Sequence, residues 1–103
     1  MAYTIITLAK AKEFIESLDS ARKARIDRIY YHFEEYGRFL PGKYLKKIAE
    51  DVWELRPGDV RLFLTIMGGK GYIVHGIHKK TQKIPKRDLD LAVKRIKELR
   101  KGG

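Results

Sequence analysis

The sequence predicts an α+β fold: a small antiparallel sheet, in the element order β-α-α-β-β-β-α, packed against an N-terminal helical hairpin and a C-terminal helix. Three observations predict it. Two amphipathic stretches with helical spacing sit side by side between residues 11 and 36. A Gly58-Asp59 turn separates two strand-like runs. A third amphipathic stretch closes the chain. With 103 residues there is room for one domain, 1–103, since single cores of about 50–200 residues are usual.

The elements follow in order. Tyr3 to Leu8 is a short apolar run rich in β-branched residues and reads as a strand. Ala11, Phe14, Ile15 and Leu18 then fall at i, i+3, i+4, i+7, the spacing of a helix with one buried face. Asp19 and Ser20 are both good N-caps for a second helix. Ile26, Ile29, Tyr30 and Phe33 form its stripe, and Gly37 is its expected terminator. Pro41-Gly42 marks a turn, and Lys43 to Ile48 follows as a basic connector or a short edge strand.

The hairpin is the clearest local signal. If Pro57 pairs with Val60 around a two-residue loop, Leu55 faces Leu62 and Trp53 faces Leu64 on an apolar side. The other side then holds Arg56 opposite Arg61, Glu54 opposite Phe63 and Val52 opposite Thr65, the pattern of a half-buried antiparallel sheet. Gly68 to Gly71 reads as the next turn and Tyr72 to His78 as the next strand. Pairing Met67 with Tyr72 sends Ile73 and Ile77 to the apolar face and sets His78 opposite Arg61. Lys79 to Lys83 form a basic loop. Pro85 suits the first position of the last helix, whose stripe is Leu89, Ala92, Val93, Ile96 and Leu99.

Charge narrows the function. The net charge is 23 − 13 = +10. Residues 78–103 hold ten basic and three acidic residues, a balance of +7, against +3 for residues 1–77. A basic C-terminal third points to a polyanionic partner, nucleic acid before acidic protein. The absence of cysteine removes disulfides, thiolate nucleophiles and Cys-ligated zinc. No apolar run approaches the roughly 20 residues of a membrane span, and no signal peptide is read, so a cytoplasmic protein without a membrane partner is expected.

Arg56 and Arg61 are the most informative pair. Two arginines directly opposite each other repel. Either Glu54 or Asp59 relieves that repulsion on a solvated face, or a phosphate does, since the guanidinium fork matches phosphate oxygens. His78, Lys79 and Lys80 join them at the end of the neighbouring strand. His32 reads as a surface residue and His75 as a hydrogen-bonded core histidine. No histidines have metal-ligand spacing, so no metal and no cofactor are expected. Trp53 reads as core, and Phe63 either as an exposed platform for a stacked base or as a patch covered by a partner. Lys46, Lys47, Lys83, Lys86 and Arg87 are the remaining candidates for RNA contact.

Taken in order, Trp53-Glu54-Leu55-Arg56, then Val60-Arg61 after a glycine turn, then His75 to Pro85 with its Lys-Lys-Thr-Gln-Lys-Ile-Pro segment, then Ala92 to Arg95, the chain resembles the RelE/ParE superfamily of toxins. The likeness is to the phage-derived, HigB-like branch. It implies a RelE-like fold and a small basic endoribonuclease that cuts mRNA on the ribosome. It also implies a cognate antitoxin, often a DNA-binding helix-turn-helix protein. Arg61 matches the arginine that stabilises the reacting phosphate, Arg56 closes the Glu-Leu-Arg element, and Lys79, Lys80 and Lys83 match the basic segment before the last helix. Where the RelE branch carries a lysine pair on the first hairpin strand, this chain has Val52 and Glu54. The expected chemistry is attack by the RNA 2′-hydroxyl on the adjacent phosphorus. His78, Lys79 or Lys80 would act as the acid and Glu54 as the base. The alternatives are a ParE-like inhibitor of DNA gyrase and a basic RNA-binding module that cuts nothing.

Overall fold

The structure is a computed structural model that describes residues 2–80 and 83–102. Its elements are β1 (Thr4–Thr7), α1 (Ala9–Glu16), α2 (Ser20–Tyr36), a 3-10 turn (Gly37–Phe39), β2 (Leu45–Ala49), β3 (Val52–Leu55), β4 (Val60–Met67), β5 (Lys70–His78) and α3 (Lys86–Gly102). The five strands form one sheet in the order β1-β5-β4-β3-β2. The basic connector is thus an edge strand, and the sheet has one strand more than the expected order.

Four strands pair antiparallel, but β1 lies parallel to β5, with Thr4 beside Lys70 and Thr7 beside Ile73. The sheet is mixed rather than purely antiparallel. The physical reason is connectivity. A parallel neighbour needs a long crossover, and β1 is separated from β5 by both N-terminal helices and three strands.

The β3–β4 hairpin has the expected register: Leu55 faces Leu62, Glu54 faces Phe63 and Trp53 faces Leu64. The Val60 N–H closes the Gly58-Asp59 turn onto the Pro57 carbonyl at 3.1 Å. From outside, Arg22 at the start of α2 grips both Asp59 carboxylate oxygens, at 3.0 and 2.6 Å. Those hydrogen bonds hold the Asp59 carboxyl below the usual carboxylate range. Asp19 caps α2 by accepting from the Arg22 N–H at 3.3 Å.

The β4–β5 register differs from the expectation in two steps. The turn uses only Gly68-Gly69, with Gly68 at a φ of 61°, so Met67 pairs with Lys70 instead of Tyr72. That displacement is even and leaves the faces unchanged: Ile73 keeps its face but moves from its expected place opposite Ile66 to lie opposite Leu64. A bulge then inserts Val74 between the Leu64–Ile73 and Phe63–His75 pairs. One extra residue flips every side chain after it. His75 and Ile77 therefore join the face of Glu54 and Arg61, and His78 crosses to the opposite face, opposite Val60.

Both faces are covered. On one, α1, α2 and the link between them bring Ala11, Leu18, Ile26, Ile29 and Phe33 onto Leu55, Leu62, Leu64 and Ile73, with Trp53 partly buried against them. On the other, α3 lays Ala92 and Ile96 over Val52, Phe63 and Val74. The expectation of one charged, solvated face is corrected accordingly. The amphipathic stripe of α3 needs an apolar partner, and β4 supplies it by being apolar on both sides over most of its length. Pro85 lies just before α3, not in its first turn, and its carbonyl accepts from Asp88 and Leu89.

Candidate functional site

At the edge of the α3 cover the sheet face turns polar. Glu54 on β3 projects there beside Arg56, and β4 sends Arg61 to the same place. Arg56 Nε lies 3.3 Å from one Glu54 oxygen, and Arg61 Nε lies 3.8 Å from the other. The predicted repulsion between the arginines is thus relieved by Glu54, since Asp59 is taken by Arg22. The side chains of Glu54 and Arg61 are only 5% and 11% exposed.

The cluster is electrostatically unfinished. Two guanidiniums face one carboxylate, a balance of 2 − 1 = +1. Arg61 is anchored by its Nη1, which donates to the Gly58 and Val60 carbonyls at 2.7 and 2.8 Å. Arg56 donates to the Gly42 carbonyl at 3.3 Å. The Nε of each arginine is shut away without a hydrogen-bond partner among the described residues. At 3.8 Å the Arg61 Nε is beyond hydrogen-bond reach of Glu54, and at 3.3 Å the Arg56 Nε approaches it without a hydrogen-bonding angle. An unmet buried donor costs about 1–3 kcal/mol, and such costs tend to persist where function needs them. Burial pushes the Arg61 pKa below the usual arginine range; Glu54 opposes that shift and Arg56 adds to it. The group stays charged at neutral pH.

The basic loop joins this cluster through the backbone. The Lys79 N–H donates to the Asp59 carbonyl at 2.7 Å, so the end of β5 is tied to the turn that precedes Arg61. Lys79, Lys80 and Lys83 help to line a small cavity with Ile77, His78, Ile84 and Pro85. Thr81 and Gln82 of the same segment lie outside the described residues. Lys46 is exposed and opposite Glu54 in register, while Lys47 is opposite Trp53 on the other face. Lys86 is exposed and ion-paired with Asp90 at 2.9 Å, and Arg87 is exposed beside it.

Two expected site residues are placed elsewhere. His78 is not beside Arg61. The bulge turns it to the far face, where its ring meets Phe14 edge-on at 5.5 Å. Phe63 is no stacking platform: it is 0% exposed, sealed between the sheet and α3. His75 takes the place on this face that the sequence reading gave to His78. Its ring stacks on Phe63 at 5.9 Å. Its Nε2 lies 2.9 Å from an Asp88 oxygen, and Arg95 donates to its Nδ1 at 3.3 Å and to the Val74 carbonyl at 2.9 Å. This network pins the bulge to α3. The signal for it was Gly76, since glycine inside a strand often marks a bulge or a close approach. A side chain there would run into the Phe14 ring and Leu62.

Comparisons with known proteins agree with this architecture. The family model described as phage derived protein Gp49-like matches residues 13–97. A chain of the toxin–antitoxin complex RelBE2 from Mycobacterium tuberculosis superposes with a TM-score of 0.65 at 15% identity, covering 77% of this chain and 100% of that one. E. coli toxin RelE, in the free state of a double arginine-to-alanine variant, superposes with a TM-score of 0.69 at 20% identity, covering 93% and 99%. At these identities the likeness is one of fold. No curated protein matches the chain.

Proposed function

The chain belongs to the Gp49-like family of phage-derived proteins, and we propose that it is the toxin of a type II toxin–antitoxin system, a ribosome-dependent mRNA endoribonuclease. The observation that carries this reading is the Glu54–Arg56–Arg61 cluster. It holds excess positive charge in a nearly dry setting, with the Lys79-Lys80 backbone tied to the same turn.

In this reading the RNA 2′-hydroxyl attacks the adjacent phosphorus, the 5′-oxygen leaves, and a 2′,3′-cyclic phosphate remains. Arg61, with Arg56, neutralises the charge that grows on the phosphate oxygens. Such a donor works best where water is scarce and its geometry is already fixed. Glu54 keeps the two guanidiniums in place. Both Glu54 oxygens already face guanidinium groups, so the first proton passes to solvent. Lys79 or Lys80 protonates the leaving oxygen, since His78 faces the other way. The Lys46, Lys83, Lys86 and Arg87 side chains steer the RNA backbone, and a cognate antitoxin holds the toxin in check in the cytoplasm. Among the described residues no helix is long and apolar enough to cross a membrane.

Primer extension on cellular mRNA after induction tests the reading. Discrete cuts inside translated codons are expected. DNA damage without mRNA cuts would replace it with gyrase inhibition.

A further inference from the structure

A groove of about 520 Å³ lies between α2, the Gly37–Phe39 turn and the end of β3. Every charged residue in its lining is an arginine: Arg25 and Arg28 from α2, and Arg56 from β3. Beside them stand Tyr36, Phe39 and Tyr44. Phe39 is 79% exposed and Tyr36 57% exposed. One side of the Tyr44 ring is occupied by the Lys43 ammonium, 5.1 Å from its centre. Large rings held this far into water on a basic wall are costly to leave unpaired, and burial against a flat partner would recover that cost.

We propose that this groove binds a single-stranded segment of RNA, with bases on Phe39 and Tyr36 and phosphates on Arg25 and Arg28. The inference rests on the ribonuclease reading and extends its substrate site. Three features favour RNA over an acidic peptide. The rings and arginines are interleaved, the combination by which single strands are held: stacking for the bases and cations for the backbone. The lining holds no acidic residue, so a chain with a charge at each repeat meets no repulsion along it. Arg56 belongs both to the groove and to the Glu54–Arg61 cluster, so a strand with its reacting phosphate at Arg61 reaches the groove by passing Arg56. Duplex RNA does not fit this reading, because its bases are already stacked.

The test uses the full chain and a short fluorescein-labelled single-stranded RNA, 2′-O-methylated throughout so that it cannot be cut. Anisotropy is measured from low to moderate salt for wild type, Phe39→Ala, Tyr36→Ala and Arg28→Gln. Both rings are exposed, so their loss should leave the melting temperature unchanged. Phe39→Ala should weaken binding about tenfold without altering the salt slope. Arg28→Gln should lower the slope by about one, and a duplex of the same sequence should bind independently of Phe39. Wild-type affinity in both ring variants would overturn the groove and leave the ribonuclease reading intact, because cutting on the ribosome is assayed separately. Absence of single-strand binding at low salt would also overturn it. So would an acidic peptide whose binding needs Phe39 while that of RNA does not. Phe39-dependent binding by a protein that cuts nothing would support the groove and dismiss the ribonuclease.

Discussion

Arg61 and Glu54 reach each other from adjacent strands, Nε to Oε2 at 3.8 Å, with both side chains almost out of water. Such a pair is poor evidence for stability, since desolvation offsets most of the attraction. Its value lies in what happens when one member is removed. Glu54→Leu leaves the Arg56 and Arg61 guanidiniums facing each other with no carboxylate between them. We expect a loss of about 2–3 kcal/mol, the upper range for stranded buried donors, because Arg56 keeps some access to water. Urea denaturation checks it. An unchanged midpoint would mean that the three side chains are not coupled in solution.

Replacing Arg61 separates charge from geometry. Arg61→Ala should lower cleavage by about 10²–10³, the usual cost of one donor to a developing anion. Arg61→Lys keeps the charge but loses the fork and both carbonyl anchors, so it should recover little of the rate. Circular dichroism controls for folding. Full toxicity of the alanine variant at equal expression would remove Arg61 from the chemistry.

Tyr30 makes stability depend on high pH. Its hydroxyl meets Thr7 Oγ1 at 2.9 Å, and burial pushes its pKa up to about 12 from 10.0. The folded state therefore holds this proton more tightly than the unfolded chain does. The stabilisation is complete below pH 10, where both states are protonated, and is lost as pH rises towards 12. The full shift corresponds to about 2–3 kcal/mol. Tyr30→Phe should be less stable at neutral pH, through the lost hydrogen bond, and should flatten the decline between pH 10 and 12. Parallel curves for the two proteins would contradict this.

Replacing Lys79, Lys80 and Lys83 together with Gln tests the basic loop. If all three touch phosphate, the slope of log K against log salt for ribosome or RNA binding should fall by about two to three. Equal slopes would make the loop a solvated surface.

The sequence carried some of these relationships and hid others. The β3–β4 hairpin was readable because a two-residue glycine turn fixes register and the alternation of Trp53, Leu55, Leu62 and Leu64 fixes the face. The Arg56–Arg61 apposition followed from it. The positions of His75 and His78 did not, because one bulge residue, Val74, exchanges them, and only Gly76 hinted at it. The burial of Phe63 was legible in principle. From Leu62 to Ile66, β4 is apolar or uncharged at every position, which fits a strand covered on both sides, and the α3 stripe lacked any other partner. The groove was out of reach, because it joins α2 to the end of β3 across residues far apart in the chain.

Cleavage of ribosome-bound mRNA tests the central claim most directly. Purified protein is added to ribosomes stalled on an mRNA with an empty A site. Cutting is compared with the same message carrying a 2′-deoxy sugar on the 5′ side of the scissile phosphate, and with Arg61→Ala. The account predicts a cut in the natural message that leaves a 2′,3′-cyclic phosphate, none in the deoxy message, and a loss of about 10²–10³ in the variant. An uncut natural message, or equal cutting of both messages, would contradict it.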